Sequence, residues 1–196
     1  LLVATTGDTI KVAKGVYTAG TSNTNTYSLR DSLVLLGGYP NTGNPGNTDR
    51  NISSNQTILS GEIGTSAQTD NTRTILTINN VKGALVDGFI VENGYEGYYE
   101  TRGPVYINNS NIIISRCVIR NNFNGTYGCG FNIQNSVLQS LNNIFENNTA
   151  TWVDSVAAVL NIQQGSVVTA VNNIIAKNKS SFVINLADSD LKLLNS

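Results

Sequence analysis

The chain has 196 residues, of which 40% are hydrophobic and 13% charged, with a formal net charge of −1, a composition that fits one soluble domain of ordinary size. Twelve basic residues scattered among thirteen acidic ones form no patch suited to nucleic acid, and no apolar run approaches the roughly 18 residues of a membrane span. Without a single His, the chain lacks the commonest general base and the commonest transition-metal ligand, which argues against triad chemistry and a zinc site.

"LLVATTGDTI" opens as a strand with neither Met nor a charged leader, so the expectation is a single domain over 1–196 that is a piece of a longer protein. "GDTIKVAKGVYTAG" at 7–20 and "YSLRDSLVLLGGYP" at 27–40 alternate apolar and polar residues as strands do. Residues 41–56, rich in Gly, Pro and Asn, read as a long surface loop before "QTILSGEIG" at 56–64 resumes the strand pattern.

From there the chain repeats. "DGFIVEN", "RCVIRNN", "NNIFENN" and "NNIIAKN" begin at 87, 116, 142 and 172, spacings of 29, 26 and 30 residues. These offsets bring Leu76, Val105, Phe131 and Leu160 into one column, and Ile78, Ile107, Ile133 and Ile162 into the next. A third column is Ile112, Leu138, Val168 and Leu191, and a fourth Ile90, Ile119, Phe145 and Ile175. Asn93, Asn122, Asn148 and Asn178 close each unit as a polar ladder. Columns two residues apart mean that one face of each short strand points inward, and Asn suits the corners because it tolerates left-handed backbone and hydrogen-bonds along a stack. The fold expected is all-β, a parallel β-helix of about seven coils. A leucine-rich repeat fits less well, because β-branched residues occupy both sides of each corner. The last run, "SDLKLLNS", stops partway round a coil, which points to more protein beyond Ser196.

Cys117 and Cys129 are the only cysteines; they either bridge in an oxidising compartment or stand as a buried apolar residue and an independent thiol.

The ordered set "GDTIKVAKGVYTAG", "SLRDSLVLLGGYPNTG", "DRN", "QTILSGEIG" and "VDGFIVENG", over roughly residues 7–94, resembles the N-terminal region of bacterial right-handed β-helix proteins of the pectin-lyase-like superfamily, the surface or secreted kind frequent in Bacteroidota. The resemblance implies a right-handed coil, an extracellular or cell-surface location, and an adhesin-like or glycan-associated role. It also implies partners among glycans, other domains of the same chain, or secretion and anchoring machinery. Enzymes of this fold that act like polygalacturonases carry "NTD", "DD", "GHG" and "RIK"; here only Asn47-Thr48-Asp49 matches, inside the surface loop. Pectate lyases need a calcium-binding carboxylate cluster, and no Asp or Glu column occurs, so neither calcium nor any other cofactor or metal is indicated.

The insertions after each Asn corner carry the candidate site. They are "GYEGYYETRG" at 94–103, "FNGTYG" at 123–128 and "TATWVDS" at 149–155, which must emerge on one side of the solenoid. Tyr95, Tyr98, Tyr99, Arg102, Phe123, Tyr127 and Trp152 are therefore candidates for one ligand-binding patch, in which rings stack on sugar faces and Arg bonds hydroxyls. The alternative is that the rings cover the coil wall or pack on a neighbouring domain. The first expectation is a non-catalytic module. A polysaccharide lyase or glycoside hydrolase would use Glu96, Glu100 and Asp154, the only carboxylates placed to act in pairs. A third reading is a structural stalk or secretion passenger. The sequons at Asn51 and Asn124 carry little information in so Asn-rich a chain.

Overall fold

The computed structural model describes residues 3–97, 102–151 and 158–196. Twenty-two short strands and two single 3-10 turns, Asn47–Asp49 and Gln68–Asp70, make up the regular structure among them. The strands stack in parallel as a β-solenoid. Sheet 1 holds Thr9–Ala13, Val34–Tyr39, Lys82–Asp87, Asn111–Ser115, Val137–Leu141, Val167–Val171 and Asp190–Leu194 in that order. Sheet 2 holds Gly15–Thr18, Thr57–Ser60, Ile90–Glu92, Val118–Arg120, Ile144–Glu146 and Ile174–Ala176. Sheet 3 holds Tyr27–Ser28, Leu76–Asn79, Val105–Asn108, Gly128–Gln134, Ala158–Gln163 and Phe182–Leu186. Seven strands in the longest sheet enclose about six turns.

Side chains pointing inward form the core in rows. Leu76, Val105, Phe131 and Leu160 are in register, as are Ile78, Ile107, Ile133 and Ile162, and all eight are buried. Ile112, Leu138, Val168 and Leu191 form the matching row of sheet 1. Because each row repeats apolar side chains at the strand spacing, packing is renewed turn after turn without long-range specification.

The fourth expected column is corrected by one residue. Ile119 and Phe145 stack on Val91, and Ile90 instead stacks with Val118 and Ile144. The inward row of sheet 2 is thus Val91, Ile119, Phe145 and Ile175, while Ile90 belongs to the outer face. The cause is a bulge: Lys82 pairs with Asn111 but Ala84 pairs with Ile112, so Gly83, at φ 69°, is an extra residue in that turn. The offset to the next turn is 29 residues before Gly83 and 28 after it. Asn93 shifts likewise, and Gly94 stands where later turns carry Asn122, Asn148 and Asn178.

The Asn pairs divide the labour at the corner after sheet 2. Asn93, Asn121, Asn147 and Lys177 take φ of 54–61°, turning the chain through left-handed backbone. The next residue points inward and caps the turn before it. The N–H of Gly94 donates to Asn122 Oδ1 (2.8 Å), that of Asn122 to Asn148 (3.1 Å) and that of Asn148 to Asn178 (2.9 Å). Their amide Nδ2 atoms donate to the carbonyls of Val91, Ile119 and Phe145. The same device closes the other corners. After sheet 1, Cys117 N–H donates to Asn143 Oδ1 and Asn143 N–H to Asn173. After sheet 3, Ser110, Ser136, Ser166 and Ser189 accept from the preceding turn at 2.9–3.2 Å. Among the described residues, nine of the fourteen non-glycine residues with positive φ are Asn, which is why Asn so dominates the sequence at these points.

The loop over 41–56 leaves between Tyr39 and Thr57 and is clamped back by Arg50. Its Nε donates to Gly37 O (2.7 Å) and its Nη2 to Asp87 O (3.0 Å), and it pairs with the Asp87 carboxylate. Arg116 grips the same carboxylate through Nε (2.9 Å) and Nη2 (2.6 Å), and Ser115 donates to it as well. Burial pushes the Asp87 carboxyl upward, but the hydrogen bonds from Arg116, Ser115 and Arg50 outweigh it and hold the group below its ordinary value. Ile52 of the loop lies on Gly88, where an added Cβ would come within 2.5 Å of Ile52 Cγ2.

Cys117 and Cys129 are both buried and unbridged. Burial pushes each thiol up to about 12.

Three outcomes are expected. Replacing buried Asn148 with Ala strands the Asn122 N–H and the Ile119 carbonyl and costs about 3 kcal/mol, whereas Asn147→Gly, at an exposed corner of φ 55°, changes stability by less than about 0.5 kcal/mol; urea unfolding midpoints distinguish the two. Asp87 has a folded pKa below its unfolded value of about 3.9. Its contribution is therefore complete above about pH 4 and is lost as pH falls further, through the folded value. Asp87→Asn should accordingly cost about 3 kcal/mol at neutral pH and flatten the decline below about pH 4 in acid unfolding curves. A thiol assay of the native protein at about pH 8 should register neither cysteine and should register both after unfolding, with or without prior oxidant.

Candidate functional site

Between sheets 2 and 3 three successive turns each add a two-residue strand. Tyr95–Glu96, Phe123–Asn124 and Thr149–Ala150 pair in parallel as a short fourth sheet, and Thr149 bridges to Lys179. Alternation sends the first residue of each outward and the second inward. The Tyr95 and Phe123 rings stack with centroids 4.8 Å apart and planes inclined by 13°, so the strand spacing itself sets the ring spacing. Both residues are half-buried, and together they form an aromatic ledge along the short sheet.

Asn124 and Glu96 lie beneath the ledge. Buried Asn124 accepts from the N–H groups of Thr126 (2.8 Å) and Tyr127 (3.0 Å), and its Nδ2 donates to Gly128 O (3.3 Å) and Arg102 O (3.4 Å). One side chain thus shapes the turn that carries half-buried Tyr127 and ties down the loop carrying Arg102. With its nitrogen so engaged, the Asn124 sequon is closed to modification in the folded protein. Glu96 is 1% exposed, with Oε2 3.9 Å from Arg73 Nε.

Arg73 connects the ledge to a polar cleft. It lines a hollow of about 100 Å³ with Arg102, Thr24, Thr26 and Thr77. Arg102 is exposed, and its guanidinium sits 5.3 Å from the centre of the Tyr106 ring, a geometry that attracts a cation to an aromatic face. Thr26 and Thr77 share a hydrogen bond of 2.9 Å between hydroxyls.

The structure therefore brings Tyr95 and Phe123 into contact, sets Tyr127 in the turn directly after them, and places Arg102 on the cleft that Arg73 joins to Glu96. Tyr98, Tyr99, Glu100, Trp152 and Asp154 lie outside the described residues. Glu96 faces inward beside an arginine, away from the ledge where a substrate would lie. Asn47, Thr48 and Asp49 form an exposed 3-10 turn in the clamped loop, where Asp49 accepts from the Gly46 N–H at 2.8 Å. Among the described residues no group of three His, Cys, Asp or Glu is arranged to hold a metal ion, and no helix is long and apolar enough to cross a membrane.

Sequence reasoning missed Arg73 and the Arg50, Asp87 and Arg116 cluster. Arg116 did leave a trace: it is an arginine at φ 49° in a corner column where the following turns carry Asn142 and Asn172.

Comparison with curated proteins and with solved structures finds no match. Residues 1–193 match the family model described as a protein of unknown function, DUF1565. With nearly the whole chain covered by that match, and its described strands stacked as a parallel solenoid, the chain belongs to the DUF1565 family.

Proposed function

We propose that this chain is a non-catalytic, extracellular β-helix module of a bacterial surface or secreted protein, which contacts glycans through the aromatic ledge and the arginine cleft beside it. The observation that carries the reading is the stacked Tyr95 and Phe123 pair. Two half-buried rings held at the strand spacing offer a flat apolar surface of the kind that sugar rings pack against, and their fixed geometry lowers the entropy lost on binding. Arg102 and the Thr hydroxyls of the cleft add donors and acceptors for sugar hydroxyls at its edge.

The inward burial of Glu96 weighs against its acting as a general acid or base, which supports binding over turnover. Right-handed winding and pectin-lyase-like ancestry belong to the same reading: parallel strand connections are right-handed in nearly all sheets, and the N-terminal motifs resemble that superfamily. Partners of such a module are glycans on the ledge side, and neighbouring domains or secretion and anchoring machinery at the solenoid ends.

The test is affinity electrophoresis against soluble polysaccharides, with and without calcium, while assaying reducing ends and unsaturated products. Retardation without product is expected. Tyr95→Ala and Phe123→Ala should each weaken it about 3- to 10-fold while unfolding stays cooperative. Product formation would replace this reading with a lyase or hydrolase, and no retardation with any polysaccharide would favour a stalk or secretion passenger.

A further inference from the structure

A larger hollow lies at the corner between sheets 1 and 2, beside the clamped loop. It encloses about 300 Å³, at the lower end of small-ligand pockets. One wall is Ile52, Ser53 and Gln56 of the loop. The floor is the outer face of sheet 2, where Ile90, Val118 and Ile144 stack in register. That aliphatic column continues in both directions, to Ile58 and to Ile174, which is 55% exposed. The interior row beside it fills the core, and of these outward residues only Ile90 is itself buried. The third side of the hollow is polar and consists of Arg116 and Asn142 from the corner column.

Arg116 is unusual in its preparation. A guanidinium has five N–H donors, and Asp87 takes two of them, through Nε and Nη2. The side chain remains 49% exposed, so a fixed, oriented fork presents its remaining donors at the mouth of an apolar hollow. The Asp87 hydrogen bond keeps the group cationic by raising its already high pKa. The surrounding charge does not cancel it: Arg50 and Arg116 share the single Asp87 carboxylate, and no residue lining the hollow is acidic. Phe89 also lines the hollow but is only 1% exposed, so its ring offers no open platform for a sugar, and the accessible apolar surface is aliphatic.

We propose that this hollow is a binding site for a small carboxylate with an apolar body, a branched-chain or arylalkanoic acid, whose carboxylate bonds to Arg116 and whose body packs on Ile52, Val118 and Ile144. The site is independent of the aromatic ledge. A bound carboxylate also interacts with the clamp that holds the 41–56 loop, since Arg116 and Arg50 meet on Asp87.

The test is a titration followed by backbone and methyl NMR, with phenylacetate and isovalerate as probes, each compared with its neutral amide. Shifts should concentrate on Ile52, Arg116, Val118 and Ile144, and each acid should bind at least about tenfold more tightly than its amide. Ile144→Glu, an outward substitution that leaves Asp87 untouched, should abolish binding; Arg116→Gln should remove the preference for acid over amide. The Tyr95→Ala variant should bind both acids as the parent does, separating this site from the ledge. Absence of shifts up to about 10 mM, equal binding of acid and amide, or retained binding in Ile144→Glu would each overturn the proposal.

Discussion

Everything in this molecule depends on how the corners are closed. A solenoid turn must change direction three times without losing backbone hydrogen bonds, and a buried unpaired N–H or carbonyl costs about 1–3 kcal/mol. The chain solves this with two adjacent residues of different duty. The first adopts left-handed backbone at the surface, and the second turns inward to accept the N–H of the turn before and, where it is Asn, to donate to a carbonyl of that turn. Asn and Ser do this because their polar atoms sit one or two bonds from Cβ, close enough to reach the neighbouring backbone along the stack. Since each cap serves the next turn, the ladders tie the turns into one cooperative column.

The inward rows follow from that closure. With corners fixed, strands of two to seven residues fall in register, and the only remaining demand is that apolar sits on apolar. This explains why the rows through Ile78 and Ile112 were legible from spacing alone. The row through Val91 was not, because one glycine, Gly83, bulges out of its strand and shifts everything after it by a residue. Spacing arguments assume a constant stride between anchors, and a single bulge breaks the assumption while leaving both flanking motifs intact. Gly94 illustrates the cost: Asn93 looks like a ladder member by composition, yet its backbone places it at the outer turn, φ 61°.

The candidate sites divide along the same line. Tyr95 and Phe123 were visible as members of one patch because they follow the corner in successive turns; their direct stacking was not, since a 29-residue stride sets Phe123 against Gly94 and the Gly83 bulge shortens it to 28. Asp87, Arg50 and Arg73 carry no such signal. Their partners are set by the path of non-repeating segments: Arg50 reaches Asp87 across 37 positions in sequence, and nothing periodic points from one to the other. Arg116 lies between these cases, since its place in an Asn column is anomalous by inspection while the reason for the anomaly, a carboxylate on the preceding turn, is purely spatial.

A repeat that satisfies its own backbone and core at every turn leaves its outer face free, so departures from the pattern are where chemistry can be added without cost to the column. Three departures stand out here. The short fourth sheet adds rings at the strand spacing; the 41–56 loop adds a wall; and Arg116 replaces a corner Asn with a cation that Asp87 holds in place. Each is anchored to a ladder element rather than to a flexible tip: Asn124 fixes the Tyr127 turn, and Arg50 fixes the loop on the backbone of Gly37 and Asp87. Anchoring of this kind limits the freedom that binding must remove, which is where affinity on a small surface has to come from.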